Sequence, residues 1–228
     1  MSKKKVFVVA LAICLLAILS MTTLAWFSAE DSIENKFYFA DSDDDGDTDF
    51  SVDVKETGDA EDDGLVFKEI LPGDTYDKDP TIVNTSSSDR YSQYIRATLT
   101  LKDPTGALKA ALDDSRIGGG DVLDLLDEMF QTVDQVNTWE LAGTEGVGYG
   151  YDDQAKEFYW IFYYKDILGK GESVTLFEEV TIPTGLTVED ASAMQSTFDV
   201  AVKAEAVQTE NLGSAVTNAK EAFAAVGK

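Results

Sequence analysis

The densest set of potential ligands in this chain is Asp41-Ser42-Asp43-Asp44-Asp45-Gly46-Asp47-Thr48-Asp49. Asp41, Asp43 and Asp45 alternate, Gly46 permits a tight backbone turn, and Asp49 closes a DxDxDGxxD pattern. Ca²⁺ is a hard cation that takes about six to eight oxygens, and a loop of this spacing can converge several carboxylates on one ion. An EF-hand would carry Glu at the twelfth position, where this chain has Val52, so an EF-hand is not supported. Two readings of the stretch stand: a calcium loop with Asp41, Asp43, Asp45 and Asp49 as ligands, or a solvated acidic turn between two strands.

The rest of the composition narrows the chemistry by what it lacks. The chain has no histidine, and its one cysteine, Cys14, lies in an apolar run near the N-terminus. Ser-His-Asp and Cys-His catalysis therefore have no base, and zinc sites built on His or Cys have no ligands. An enzyme would have to work with carboxylates alone, as glycosidases do. Glu178, Glu179 and Glu205 are candidates, but among 43 acidic residues no pair distinguishes itself. The formal net charge of −25 repels nucleic acid and anionic lipid, and it favours solubility and cation binding. Over its nine residues the acidic stretch resembles the calcium loops of dockerin- and thrombospondin-type repeats.

These groups are delivered by an N-terminus with the marks of an export signal. Lys3, Lys4 and Lys5 precede a 14-residue apolar run, Val6 to Leu19, and then a more polar stretch ends at Thr23-Leu24-Ala25. Thr23 and Ala25 are small enough for the −3 and −1 pockets of a signal peptidase, which puts the cut between Ala25 and Trp26. The competing reading is an uncleaved anchor, because the 24 residues from Val6 to Ala29 carry no charge and are long enough to span a bilayer. Ser20, Thr22 and Thr23 weigh against the anchor. On either reading residues 26–228 work outside the membrane, which the chain meets only through its signal segment. Cleavage removes three lysines and no acids, so the net charge moves from −25 to −28. A chain of this size buries roughly 70% of its unfolded surface as one domain and needs no disulfide to fold.

The elements that hold these groups are mostly strands. Asn35–Ala40 and Phe50–Val54 flank the acidic stretch, Thr57–Gly64 reads as an acidic loop, and Leu65–Ile70 is a further short strand. Leu71-Pro72-Gly73-Asp74-Thr75 is a turn, since Pro fixes φ at one corner and Gly supplies positive φ at the next. Thr81–Asn84 leads into a polar loop at Thr85–Asp89. Ile95, Ala97, Leu99 and Leu101 alternate with polar partners as far as Lys102, the pattern of a half-buried strand. A short helix around Ala107–Leu112 ends at Gly118-Gly119-Gly120. Asp121 caps a second helix, whose stripe of Val122, Leu126, Met129, Phe130 and Val133 is read as core rather than a ligand groove. Strands return at Thr138–Leu141, Val147–Tyr151 and Glu157–Tyr164; the last is apolar on both faces and must be central or covered. Its aromatic residues are read as core rather than a sugar-stacking platform. Ser173–Ile182 is expected as one strand stopped by Pro183, and Phe198–Ala206 as another. Asn211 is expected to cap a final helix bearing Leu212, Ala215, Val216, Ala219, Phe223 and Val226. About nine strands with two or three inserted or terminal helices predict a mainly β protein, a two-layer β-sandwich.

Several of these pieces, in this order, resemble the TasA/camelysin family of Gram-positive exported proteins. They are Thr23-Leu24-Ala25-Trp26-Phe27-Ser28, Asn35–Phe39, Leu71-Pro72-Gly73-Asp74, Val83-Asn84, and the closing run from Phe198 to Gln208 followed by a helix. The ordered set spans almost the whole chain. The resemblance implies a jelly-roll form of the sandwich, processing by a SipW-type signal peptidase, and self-association, or association with related matrix proteins, into fibres at the cell surface or in a biofilm matrix. In the fibre-forming relatives the segment after the cut pairs as a strand with the next subunit. That maps onto Trp26–Phe39, with Trp26, Phe27, Ile33, Phe37 and Phe39 as the assembly residues. The same segment read as the first strand of its own domain is the alternative. The acidic insertion at Asp41–Gly64 departs from the shortest family members. Camelysin relatives also carry a metallopeptidase label, but this chain has neither an HExxH motif nor a histidine, so that activity is not carried over. A monomeric glycan- or calcium-binding module is the remaining alternative.

Overall fold

Strict alternation builds the centre of the molecule. In the computed structural model, β5 (Gln93–Lys102) buries Ile95, Ala97, Leu99 and Leu101 on one face and keeps Arg96, Thr98, Thr100 and Lys102 half-exposed on the other. The structure describes residues 50–56, 71–130, 138–190, 199–210, 212 and 216–227, together with the backbone of residues 28–33.

Two partners flank β5. On one side β8 (Glu157–Tyr164) sets Phe158, Trp160 and Phe162 opposite Leu101, Leu99 and Ala97. On the other, β11 (Asp199–Gln208) sets Val200, Val202, Ala204 and Ala206 opposite Leu101, Leu99, Ala97 and Ile95. Because side chains alternate with a period of two, these registers put all eleven residues on one face of one antiparallel sheet. Each large side chain buried there stabilises the fold by about 1.5–3 kcal/mol. The sheet is completed by β1 (Ser28–Ile33) on β11, and by β6 (Trp139–Leu141) and β7 (Tyr149–Asp152), which share the far side of β8.

A second layer closes over this face. One small sheet joins β2 (Val52–Lys55), β4 (Thr81–Asn84) and β9 (Ser173–Thr175); a second joins β3 (Thr75–Asp77) and β10 (Glu179–Thr181). Val52, Val54, Ile82, Val174 and Val180 from these sheets enter the same buried cluster as the eleven residues of the main sheet. The protein is mainly β, a sandwich of antiparallel sheets with a few helices, as the sequence pattern predicts.

Three α-helices join the sheets among the described residues. α1 (Ala107–Asp113) and α2 (Val122–Met129) lie between β5 and β6, and α3 (Ala219–Ala225) ends the chain. Asp121 caps α2 by accepting from the Leu123 N–H at 2.7 Å. Val122, Leu126, Met129 and Phe130 are buried as expected, with Leu125 beside them; Val133 lies outside the described residues. Gly118 lies so close to α2 that a Cβ there would sit 2.6 Å from the Leu125 nitrogen. The Pro72-Gly73 turn forms with Gly73 at φ 91° and an Asp74 N–H to Leu71 O bond of 3.1 Å.

Four expectations need correction. Ser173–Ile182 is two strands in different sheets, because Leu176 and Phe177 are consecutive and both buried, which breaks the alternation. Thr75, expected in a turn, opens β3. Val147, expected in a strand, is an exposed turn residue, and β7 begins at Tyr149. The last helix starts at Ala219, not after Asn211. Asn218 accepts from the Glu221 N–H at 2.9 Å while Glu221 accepts from the Thr217 N–H at 2.7 Å, a reciprocal cap that fixes the start there. Asn35–Ala40, Leu65–Ile70 and Asn211 lie outside the described residues.

Candidate functional site

The candidate site is the β1 edge of the main sheet as the described residues define it. β11 alternates Val200, Val202, Ala204 and Ala206 inward, so it is held on β5 over all ten of its residues. Its other side carries β1, paired antiparallel from Ser28 opposite Val207 to Ile33 opposite Val202. Here Ala204 and Ala206 lie fully buried beside Ala97, where larger side chains would hold the second layer off.

The outer face of β11, part of it covered by α3, carries a row of paired charges. Lys102 Nζ lies 2.9 Å from Asp199. Arg96 donates to Glu205 Oε2 through Nε at 2.8 Å and through its terminal nitrogen at 2.5 Å, with the Glu205 side chain only 7% exposed. Lys203 stands 3.9 Å from the other Glu205 oxygen. The Arg96 guanidinium also sits 4.6 Å from the centroid of the Phe223 ring on α3, which packs with Tyr94, Tyr163 and Val207. Register places Glu30 on the same rung as Glu205 and Ser32 on the rung of Lys203.

Of the residues singled out in the sequence, Ile33 is the last residue of β1. Ala25, Trp26, Phe27, Phe37, Phe39, Asp41, Asp43, Asp45 and Asp49 lie outside the described residues. Glu205 belongs to the main sheet and pairs with Arg96, whereas Glu179 belongs to the two-stranded sheet and faces Asp77 in register, with Glu178 just ahead of it. The three candidate acids are not brought together. Among the described residues, no group of three or more His, Cys, Asp or Glu side chains is placed to hold a metal ion, and no helix is long and apolar enough to cross a membrane.

Among the described residues Tyr151 is strongly perturbed, pushed up to about 12 chiefly by burial and then by the charge of Asp103. Asp103 is itself raised by burial, against the lowering effect of the backbone N–H groups it accepts from. Perturbed pairs of this kind mark active sites when they face a cleft. Here Asp103 accepts from the Leu108 and Lys109 N–H groups at 3.1 and 2.9 Å, so it is engaged in starting α1. The Arg96–Glu205 pair was not legible in the sequence, because only the register of β5 on β11 shows that these two face each other.

No protein-family model, curated protein or solved structure matches this chain.

Proposed function

We propose that this chain is a non-enzymatic exported structural protein that assembles outside the cell by lending its first strand to a neighbouring copy. The observation that carries the reading is the place of β1. It is a six-residue strand, it begins three residues after the expected cut, and among the described residues it lies at the edge of the main sheet, held by its ladder to β11. A strand so placed can be exchanged between copies, because the ladder formed with a neighbour is the ladder formed with self. Donor and acceptor surfaces differ, so when each copy lends its strand to the next instead of exchanging with one partner, the contact propagates as a filament.

The resemblance to TasA and camelysin proteins supports the same reading. It adds a SipW-type signal peptidase as the processing partner and a Gram-positive cell surface or biofilm matrix as the location. Before cleavage the apolar leader ties Trp26 to the membrane; afterwards the strand is free to leave. The net charge of −28 after the cut opposes close approach of copies, and salt screens it. Calcium bound at Asp41, Asp43, Asp45 and Asp49 would neutralise part of it at the connection between β1 and β2.

Electron microscopy tests the proposal on the chain beginning at Trp26, beside one beginning at Asp41, with and without calcium and at two salt concentrations. Fibres are expected from the longer chain only, with more of them when calcium or salt is added. Monomers from both chains at high concentration, or the same fibres from both, would sink it.

A further inference from the structure

A buried lysine and a buried glutamate meet where the two small sheets of the second layer adjoin. Glu56 follows the last residue of β2, and Lys78 follows the last residue of β3. Their side chains are each 3% exposed, and Lys78 Nζ donates to Glu56 Oε1. Among the described residues the second carboxylate oxygen, Glu56 Oε2, is buried with no hydrogen-bond partner, and Nζ meets a single acceptor. As an ion pair, this arrangement leaves a carboxylate oxygen and ammonium protons unsatisfied away from water, where burial of both charges is compensated only by complete hydrogen bonding.

One chemical change removes that deficit. We propose that Lys78 and Glu56 condense into an amide, a covalent cross-link between β2 and β3. One ammonium proton passes along the existing hydrogen bond to Oε1, giving an amine and a carboxylic acid. The Nζ lone pair attacks Cδ, the C–Oε1 bond breaks, and the hydroxyl leaves with a second Nζ proton as water. The third proton stays on the amide nitrogen. Atoms and charge balance with no oxidant, activator or co-substrate. Two charges and their unmet partners become one N–H and one C=O. Burial holds the reacting atoms together and keeps away the water that would reverse the step.

The cross-link adds a covalent tie of a kind that cysteines cannot supply here. Beyond Cys14 in the leader the chain has no cysteine, so a disulfide cannot tie its strands. Glu56 and Lys78 are 22 positions apart, and fixing that loop covalently stabilises the fold chiefly by restricting the unfolded chain. The inference stands apart from strand exchange, since neither residue belongs to β1 or β11.

The test is a tryptic map of the folded, full-length mature chain, with intact mass. Without the cross-link, trypsin cuts after Lys55, Lys68 and Lys78 and releases residues 56–68 and 69–78 separately. With it, residues 56–68 stay joined to residues 69–90, uncut at Lys78 and lighter by one water. The Lys78→Arg variant, which keeps the charge and the pairing, should show neither the joined peptide nor the missing water. Free peptides of full mass, cut at Lys78, as the sole product from the folded wild-type chain overturn the proposal whether or not the variant folds. A water lost at another lysine overturns it too.

Discussion

Replacing Trp160 with alanine is expected to destabilise the protein by about 3–5 kcal/mol, the range for removing a large aromatic side chain from a packed core. Trp160 is fully buried at the middle of β8, opposite Leu99 on one neighbouring strand and Tyr149 on the other. Its ring lies 6.1 Å from that of Phe158, nearly parallel, and 6.0 Å from that of Phe130, edge on. Its Nε1–H donates to the Val122 carbonyl at 3.2 Å, at the start of α2. The substitution therefore opens a cavity between the sheet and α2, and it also leaves a buried helix carbonyl without that donor. Trp160→Phe keeps most of the volume and loses the hydrogen bond, so its smaller cost isolates the bond, about 1 kcal/mol. Denaturant titration of both variants, followed by far-UV circular dichroism, measures the difference. A midpoint for Trp160→Ala within error of the wild type would contradict this packing.

The second large effect is expected at Arg96. Removing one partner of a buried ion pair costs about 3–5 kcal/mol, because the remaining charge keeps its desolvation and loses its compensation. The Arg96 side chain is 16% exposed, so the lower end of that range applies. Arg96→Ala also takes the guanidinium from beneath Phe223 and loosens α3. Lysine cannot reproduce the two-nitrogen grip on Glu205, so Arg96→Lys should recover only part of the loss. Arg96→Met combined with Glu205→Leu should recover more, since an apolar pair leaves no buried charge. Because β1 is laddered to β11, the strand that carries Glu205, the loss should fall first on β1. Faster amide exchange at residues 28–33 than elsewhere in Arg96→Ala is the expected signature; uniform loss of protection across the sheet would contradict it.

How far the sequence carried depended on whether an element announces itself by period. Ile95–Lys102 and Phe198–Ala206 alternate, and the strands Gln93–Lys102 and Asp199–Gln208 form there. The both-face apolar character of Glu157–Tyr164 correctly placed it inside the sheet: β5 lies on one side, β6 and β7 on the other, and Tyr163 meets Phe223 of α3 on its outer face. Asp121 and the Pro72-Gly73 turn were readable because a cap or a positive φ demands particular residue types.

Failures came where tertiary contacts decide. Leu176 and Phe177 look like more of one strand until the second layer splits into two sheets. Asn211 and Asn218 are equally good caps in isolation, and Thr217 with Glu221 selects the second. Pairing across distant elements has no local signal at all: Arg96 and Glu205 are 109 positions apart, and Lys78 and Glu56 sit on separate sheets. The acidic stretch Asp41–Asp49 was the most legible motif, and it lies outside the described residues.

Where β1 finds its partner strand is best measured by cysteine cross-linking, because the chain from Trp26 onward has no thiol of its own. Ser32 and Lys203 are register partners across the β1–β11 ladder. Chains carrying Ser32→Cys alone are mixed with chains carrying Lys203→Cys alone and brought to assembling conditions under mild oxidation. If β1 is lent to a neighbour, disulfide-linked dimers between the two variants should accumulate along with the fibres, while neither variant alone forms them. If mixed chains stay unlinked, and a chain bearing both cysteines closes on itself at every concentration, β1 belongs to its own domain and the account of assembly is wrong.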